Sequence, residues 1–257
     1  MYDEPAWAAA NDALWSAIGG ELRAGGLAGV PARLTRDAAL PAIWTDPRLL
    51  LAQTCGWPLV TGLAERVTLV ATPCYALPGC DGPHHRAFLV VRDDDPATDL
   101  AALRGRRLAV NGPDSNSGMN LLRSVVAPLA EGGRFFAGVA VTGAHRASLA
   151  AVAAGTADVT AVDCVTFGLL ARHVPAALAG LRVLARTPAS PSLPFITRAD
   201  TPAMELTLLR TALAAALGHP AARTLGLAGF EILPLAAYDP LLALAQAAAR
   251  RGYPHLG

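Results

Sequence analysis

Lysine is absent from the 257-residue chain, so all 21 basic side chains are arginines. They are scattered singly, with pairs only at Arg106-Arg107 and Arg250-Arg251, and 20 carboxylates reduce the net charge to +1. No basic stripe of the kind a nucleic acid needs is present, which excludes that partner from the expectations. Long apolar runs are also missing. Arg, Pro, Gly or Asp interrupts each one well short of the ~20 residues that span a bilayer, so no membrane insertion is expected. The four cysteines, Cys55, Cys74, Cys80 and Cys164, form no C-x-x-C pair and have no histidine at zinc-finger spacing. A structural metal is therefore not expected. Cys74 and Cys80 either pair across the Pro78-Gly79 turn in an oxidising compartment or stay as two buried thiols. No Ser-His-Asp spacing stands out, and His145 and His173 read as helix-surface residues. The first twelve residues, MYDEPAWAAAND, carry acids where a signal peptide carries a basic region. As written, the chain is expected in the cytoplasm, or in the periplasm if an export segment precedes it.

What is present suits a large interior. With 53% hydrophobic and 16% charged residues the chain is globular, and its length is more natural for two lobes than for one core. The stretch DSNSGMNLLR, residues 114–123, is the most informative. It follows a short apolar run, Arg107 to Asn111, and precedes a helical repeat. Asp, Ser and Asn are favoured helix caps, and one would suffice. The alternative is that Ser115, Asn116, Ser117 and the N–H groups at Gly118 and Met119 face outward and hold an anion, which a helix N-terminus favours. Asp114 would repel an anion and is assigned to the turn.

Periodicity predicts a helix from Trp7 to Leu22, stopped by Gly25-Gly26, then strands at 49–53, 67–71 and 87–91. A helix at 98–104, the strand at 107–111 and the helix after DSNSG follow. Then come a weak strand at 138–141, a helix at 145–154, a strand at 157–162, a helix at 165–173 and a strand at 181–184. Strands alternating with helices predict an α/β fold with parallel sheets. The proline-rich segment 187–194 reads as an extended connection. A helix at 202–217, a strand at 230–233 and a helix at 239–251 complete the chain. This order suggests an inserted lobe, 92–185, within an outer lobe, 1–91 and 186–257, joined by two hinge crossings.

Five ordered segments carry a resemblance: LAQTCGWPLV with TPCYALPGCDGPHHRAFLVVR, LRGRRLAVNGPDSNSGMNLLR, GTADVTAVDCVTFGLL, TPASPSLPFITR and FEILPLAAYDPLLAL. Together they resemble the phosphate/phosphite/phosphonate substrate-binding components of ABC transporters, with the type 2 periplasmic-binding-protein fold. The resemblance implies a two-lobe α/β protein with mixed, mostly parallel sheets that closes around a small oxyanion, without a cofactor, as a monomer, for an ABC permease. Two departures stand out: the family's first strand is short or absent at Met1-Tyr2-Asp3, and within His84-His85-Arg86-Ala87 a His stands where relatives often carry Tyr and an Ala where a Ser is common. A second reading is a cytoplasmic dehydratase of the same fold, like those of the menaquinone pathway, with Asp163 as its general base.

Carried over by residue, the resemblance places the anion on Ser115, Asn116, Ser117 and Gly118, with Asp163 and Cys164 lining the opposite wall. Gln53, Thr54, Cys55 and Gly56 are implied from the outer lobe, with Tyr2, Tyr75 and Arg86 nearby. Three assignments have plain alternatives: Asp163 as the cap of the next helix, Tyr75 as a half-buried strand aromatic, and Arg86 as a tie from the hinge to a carboxylate.

Overall fold

The computed structural model describes residues 2–256. In chain order the elements are α1 (Ala8–Ala24), α2 (Leu40–Trp44), β1 (Ala52–Gln53), α3 (Gly56–Pro58), β2 (Val67–Tyr75), β3 (His84–His85), β4 (Ala87–Arg92) and β5 (Arg107–Val110). Next come α4 (Leu122–Val126), β6 (Gly138–Val141), α5 (His145–Ala153), β7 (Val159–Asp163), α6 (Cys164–His173), β8 (Leu181–Arg186) and β9 (Ser190–Pro191). The last are β10 (Phe195–Arg198), α7 (Ala203–Ala216), α8 (Pro220–Thr224), β11 (Leu227–Glu231) and α9 (Pro240–Arg250).

The chain divides into two units. The first holds residues up to Ala76 with Asp81–His84 and Pro191–Ala237, and the second holds Leu77–Cys80, His85–Ser190 and the chain from Tyr238. The boundaries expected at 92 and 185 are thus displaced. β4 is a strand of the second unit, and α9 joins that unit too, packing against α4. The physical reason is the apolar face of the C-terminal segment: Ala248 and Tyr253 lie in the second unit's core beside Leu122 and Val126. Sequence order alone does not reveal where a terminal helix finds that burial.

In the first unit, Leu14, Trp15, Ile18 and Leu22 recur on one face of α1, and all are buried. They pack on α7 and α8, whose inward residues are Leu209, Ala212, Leu213, Ala221 and Ala222. Each such leucine contributes about 1.5–3 kcal/mol when fully buried. Gly26, at φ 86°, ends α1 in the left-handed conformation that only glycine adopts without strain. The sheet has the order β1-β10-β2-β11, and every pairing in it is antiparallel. β2 serves two neighbours in succession: its first half, Val67 to Ala71, pairs with β10, and Thr72 to Tyr75 pairs with β11. Pro73 is tolerated because β10 has ended before it.

The second unit contains a five-stranded sheet of order β6-β5-β7-β4-β8. β5 is parallel to β6 and β7, while β4 is antiparallel to β7 and β8. This sheet is mixed, as expected, but the expectation of mostly parallel pairing is corrected: the first unit's sheet is wholly antiparallel, and in this one only the β5–β6 and β5–β7 pairings are parallel. β4 and β7 are buried almost end to end, as befits central strands covered on both faces, whereas the edge strand β6 is largely exposed. The helix expected at 98–104 is a single 3₁₀ turn, Ala101–Leu103, and the strand expected at 230–233 begins earlier, at Leu227.

Candidate functional site

The strand directions collect the chemistry at one edge of the second unit's sheet. β5, β6, β7 and β8 all end there, and β4 begins there, because Ala87 pairs with Asp163 and Phe88 with Arg186. Asn111 to Ser117, the turn before His145, Asp163, and His85-Arg86 therefore share that edge. Carboxyl edges of parallel strands are where open α/β sheets present their ligand-binding residues.

The DSNSG turn is buried rather than outward-facing: Ser115, Asn116, Ser117 and Gly118 are all enclosed. The Ser115 N–H donates to Gly112 O at 3.3 Å, closing a turn that contains Asp114. Ser115 then caps the helix, its Oγ accepting from the Gly118 N–H at 3.0 Å. The first helical turn is wide, the Asn120 N–H reaching back to Ser115 O at 3.1 Å. Such π-type turns recur at functional sites. Asn116 Nδ2 donates to Ser190 Oγ at 3.0 Å, and Asn120 Nδ2 donates to Asn116 Oδ1 at 3.3 Å and to Leu241 O at 3.1 Å. Gly118 is required by close approach: a Cβ there would lie 1.9 Å from Asn111 Oδ1. These bonds give Ser115 and Asn116 scaffold roles and leave Ser117 as the side chain of the turn directed elsewhere. Ser117 Oγ lies 3.2 Å from His145 Nε2, at the first residue of α5.

His145 is thus half-buried in the site and not on the helix surface. Its signal was its position, the first helical residue after a parallel strand and a Gly143 turn, the same placement that made DSNSG informative. His85 is fully buried, and its Nδ1 donates to Asp163 Oδ2 at 2.6 Å. Asp163 is also the helix cap, its Oδ1 accepting from the Val165 and Thr166 N–H groups at 2.8 and 3.2 Å. Burial alone would raise Asp163, but the charge and hydrogen bond of His85, with His145 and the Thr166 N–H, hold it below the ordinary carboxylate value. Burial likewise opposes charge on His85, and there too Asp163 prevails, holding His85 above the usual histidine value. His145 goes the other way: burial, joined by the charge on His85, lowers it despite Asp163. Two imidazoles at one edge are therefore shifted in opposite directions, His85 toward the charged form and His145 toward the neutral one. A general base near neutral pH needs a raised carboxylate, and Asp163 is shifted down.

His85 Nε2 and Asn111 Oδ1 are polar atoms of this edge that are shielded from solvent without a hydrogen-bond partner. Arg86 is a tie, as one reading had it, but to a carbonyl: its Nε donates to Gly79 O at 3.1 Å. Cys164 is buried at the start of α6, its Sγ accepting from the Arg86 N–H at 3.4 Å and lying 3.5 Å from Cys80 Sγ. No disulfide joins the cysteines, and the neighbour of Cys80 is Cys164 rather than Cys74, whose Sγ lies 4.0 Å from Glu231 Oε1.

The remaining expected residues form a cluster of their own in the first unit. Gln53 Nε2 donates to Tyr75 OH and to Leu193 O, each at 3.2 Å, and the rings of Tyr2 and Tyr75 meet edge to face at 5.6 Å. Tyr75 is buried. The Thr54 N–H donates to Pro194 O at 3.0 Å, and Cys55 and Gly56 are buried where α3 begins. Among the described residues no group of three or more His, Cys, Asp or Glu side chains has metal-binding geometry, and no helix is long and apolar enough to cross a membrane.

Comparison with solved structures identifies the fold. A binding-protein component of an ABC phosphonate transporter from Pseudomonas aeruginosa superposes with a TM-score of 0.73 at 17% identity, over 94% of this chain and 82% of that one. A phosphonate-binding protein from Prochlorococcus marinus in complex with methylphosphonate gives 0.71 at 13% identity, over 94% of both chains. A Xanthomonas citri protein bound to ATP gives 0.68 at 21% identity, over 93% and 92%. No curated protein sequence matches the chain significantly. The fold is that of the periplasmic binding proteins. Residues 53–238, well over half of the chain, match the family described as the periplasmic phosphonate substrate-binding protein of ABC transporters, and the chain belongs to that family.

Proposed function

We propose that the protein is a solute-binding protein that captures a small phosphonate- or phosphate-like oxyanion at the carboxyl edge of the second unit's sheet and passes it to an ABC permease. The observation that carries this reading is the Ser117–His145 contact, at 3.2 Å, where two helices begin at the ends of parallel strands. First-turn N–H groups have no acceptor within their own helix and carry the positive end of its dipole, so an oxyanion suits them. Ser117 Oγ, His145 Nε2 and the N–H groups of that turn are the proposed contacts, and Ser115, Asn116 and Gly118 hold them in place. Three or four charge-assisted hydrogen bonds with one helix end give roughly 6–13 kcal/mol before ordering costs. Micromolar affinity needs about 8 kcal/mol.

The reading contains no chemical step. Both Asp163 oxygens are occupied, one by His85 and one by the start of α6, and its downward shift supports a structural carboxylate over a dehydratase base. The test is titration calorimetry of the purified protein with methylphosphonate, inorganic phosphate and ATP, with the solutions then checked for new masses. Saturable heat with at least one of them and no new mass is expected. Absence of heat with all three, or a product, would overturn the reading.

A further inference from the structure

The two thiols beside this site are not among the proposed anion contacts. Cys80 and Cys164 are 84 positions apart in the chain, yet their sulfurs lie 3.5 Å apart. The approach is built rather than incidental. Leu77 to Cys80 form a tight turn closed by the Cys80 N–H donating to Leu77 O at 3.1 Å, with Pro78 preceding Gly79 at φ 91°. Pro followed by a left-handed Gly is the sequence of a type II turn. Three contacts dock the turn on α6 and β4. Leu77 is so close to Gly168 that a Cβ there would meet it at 3.2 Å. A Cβ at Gly79 would lie 2.6 Å from the Phe88 ring and 2.9 Å from Cys164 Cβ. The Arg86 guanidinium holds Gly79 O from the other side. Every one of these residues belongs to the second unit.

We infer that Cys80 and Cys164 are a redox-convertible pair that closes into an intramolecular disulfide by exchange with a low-molecular-weight disulfide such as oxidised glutathione. Bond formation shortens the sulfur separation to about 2.05 Å, a movement that a turn and a first helical residue can share. Cys80 is half-exposed and meets the oxidant first, while Cys164 is buried. The hydrogen bond with Cys80, burial and the Asp163 carboxylate all hold Cys164 as a thiol in the reduced protein. The Cys80 thiolate attacks one sulfur of glutathione disulfide, its S–S bond breaks, and one glutathione leaves. Cys164 then loses its proton, helped by the Arg86 N–H on its sulfur and by its place at a helix N-terminus. It attacks Cys80 Sγ, and the second glutathione leaves. Two electrons pass to the oxidant, and the two thiol protons end on the two released glutathiones.

The test needs no oxyanion, so its result is independent of the binding reading. Wild-type protein is equilibrated with glutathione redox buffers, blocked, digested and sequenced by mass spectrometry, in parallel with Cys80→Ser and a Cys55→Ser/Cys74→Ser double variant. A Cys80–Cys164 cross-link that appears in the wild type and in the double variant, vanishes with Cys80→Ser, reverses with a dithiol reductant and raises the thermal midpoint is expected. A Cys74–Cys80 link, a persistent glutathione adduct on Cys80, or no cross-link in a fully oxidising buffer would overturn the inference. Because the wild-type digest carries the result, poor folding of a variant does not blunt it.

Discussion

His85 Nδ1 stands 2.6 Å from Asp163 Oδ2, and both side chains are buried. Such a pair survives burial only when the rest of the carboxylate is also satisfied. The second oxygen is satisfied by the Val165 and Thr166 N–H groups, so one residue fixes the start of α6 and the chain just before β4. Asp163→Asn keeps the shape and removes the charge. It is expected to cost about 3–5 kcal/mol of unfolding free energy, measured by urea denaturation near pH 6, and to lower the His85 titration midpoint followed by NMR. A loss below about 1 kcal/mol, the range of exposed pairs, would show that the pair does not act as a buried one.

The same pair sets a pH window. His85 is raised above its ordinary 6.5, so its contribution is complete below that value and fades as pH rises through the folded-state midpoint. Asp163 is lowered below 3.8, so its contribution is complete above that value and fades as pH falls through its own folded midpoint. His145 is lowered from 6.5, and its contribution is present above that value and lost on acidification. Stability of the ligand-free protein should therefore fall as pH drops from 6.5 to the folded midpoint of His145 without recovering below it, and His145→Asn should remove that fall. Denaturation midpoints across the acid and neutral range check it, and an identical profile in the variant would contradict the assignment.

Oxyanion binding should take up a proton. A bound anion beside His145 favours the imidazolium, so its midpoint rises on binding, and affinity must increase as pH falls toward the value in the free protein. Calorimetry in buffers of different ionisation enthalpy gives the proton count for methylphosphonate. Relative to wild type, His145→Asn should lose the part of that count not due to the ligand's own ionisation. An unchanged count would remove His145 from the site.

Ser117→Ala is expected to weaken binding by about 1–3 kcal/mol. Because Ser117 is enclosed and touches His145, it should also cost stability of about 1 kcal/mol. The double variant with His145→Ala should show less than the sum of the two single losses, since each removes the same contact. Strict additivity in a calorimetric cycle would mean the two side chains act separately.

The α/β class, most element positions and a helix cap within residues 114–118 were legible, because periodicity and helix caps are local signals. What was not legible depends on contacts far apart in sequence. α9 reaches the second unit through Asn120 and Leu241, and His145 meets Ser117 across two parallel strands. Cys80 looked like a neighbour of Cys74 because spacing was the only guide, yet the turn at Pro78-Gly79 carries its sulfur to Cys164. Ser115 and Asn116 were assigned by type to the anion, while their hydrogen bonds show them holding the turn itself.

Gly118 tests whether that turn is as tightly built as its geometry indicates. An added methyl would sit 1.9 Å from Asn111 Oδ1 and 3.1 Å from Ser115 Oγ, so Gly118→Ala must push Asn111 away and loosen the Ser115 cap. Overpacking of this kind costs about 1–3 kcal/mol, and the displaced Ser117 should bind oxyanion more than about tenfold less tightly, the effect of about 1.4 kcal/mol. Gly20 is the matched control: it lies inside α1, and a methyl added there would have nothing within 4 Å, so Gly20→Ala should gain about 0.5–1 kcal/mol with binding untouched. Urea denaturation and calorimetry on both variants read the contrast. If Gly118→Ala were as stable as wild type and bound methylphosphonate equally well, the turn would be soft, and the roles given to Ser115 and Asn116 would fall with it.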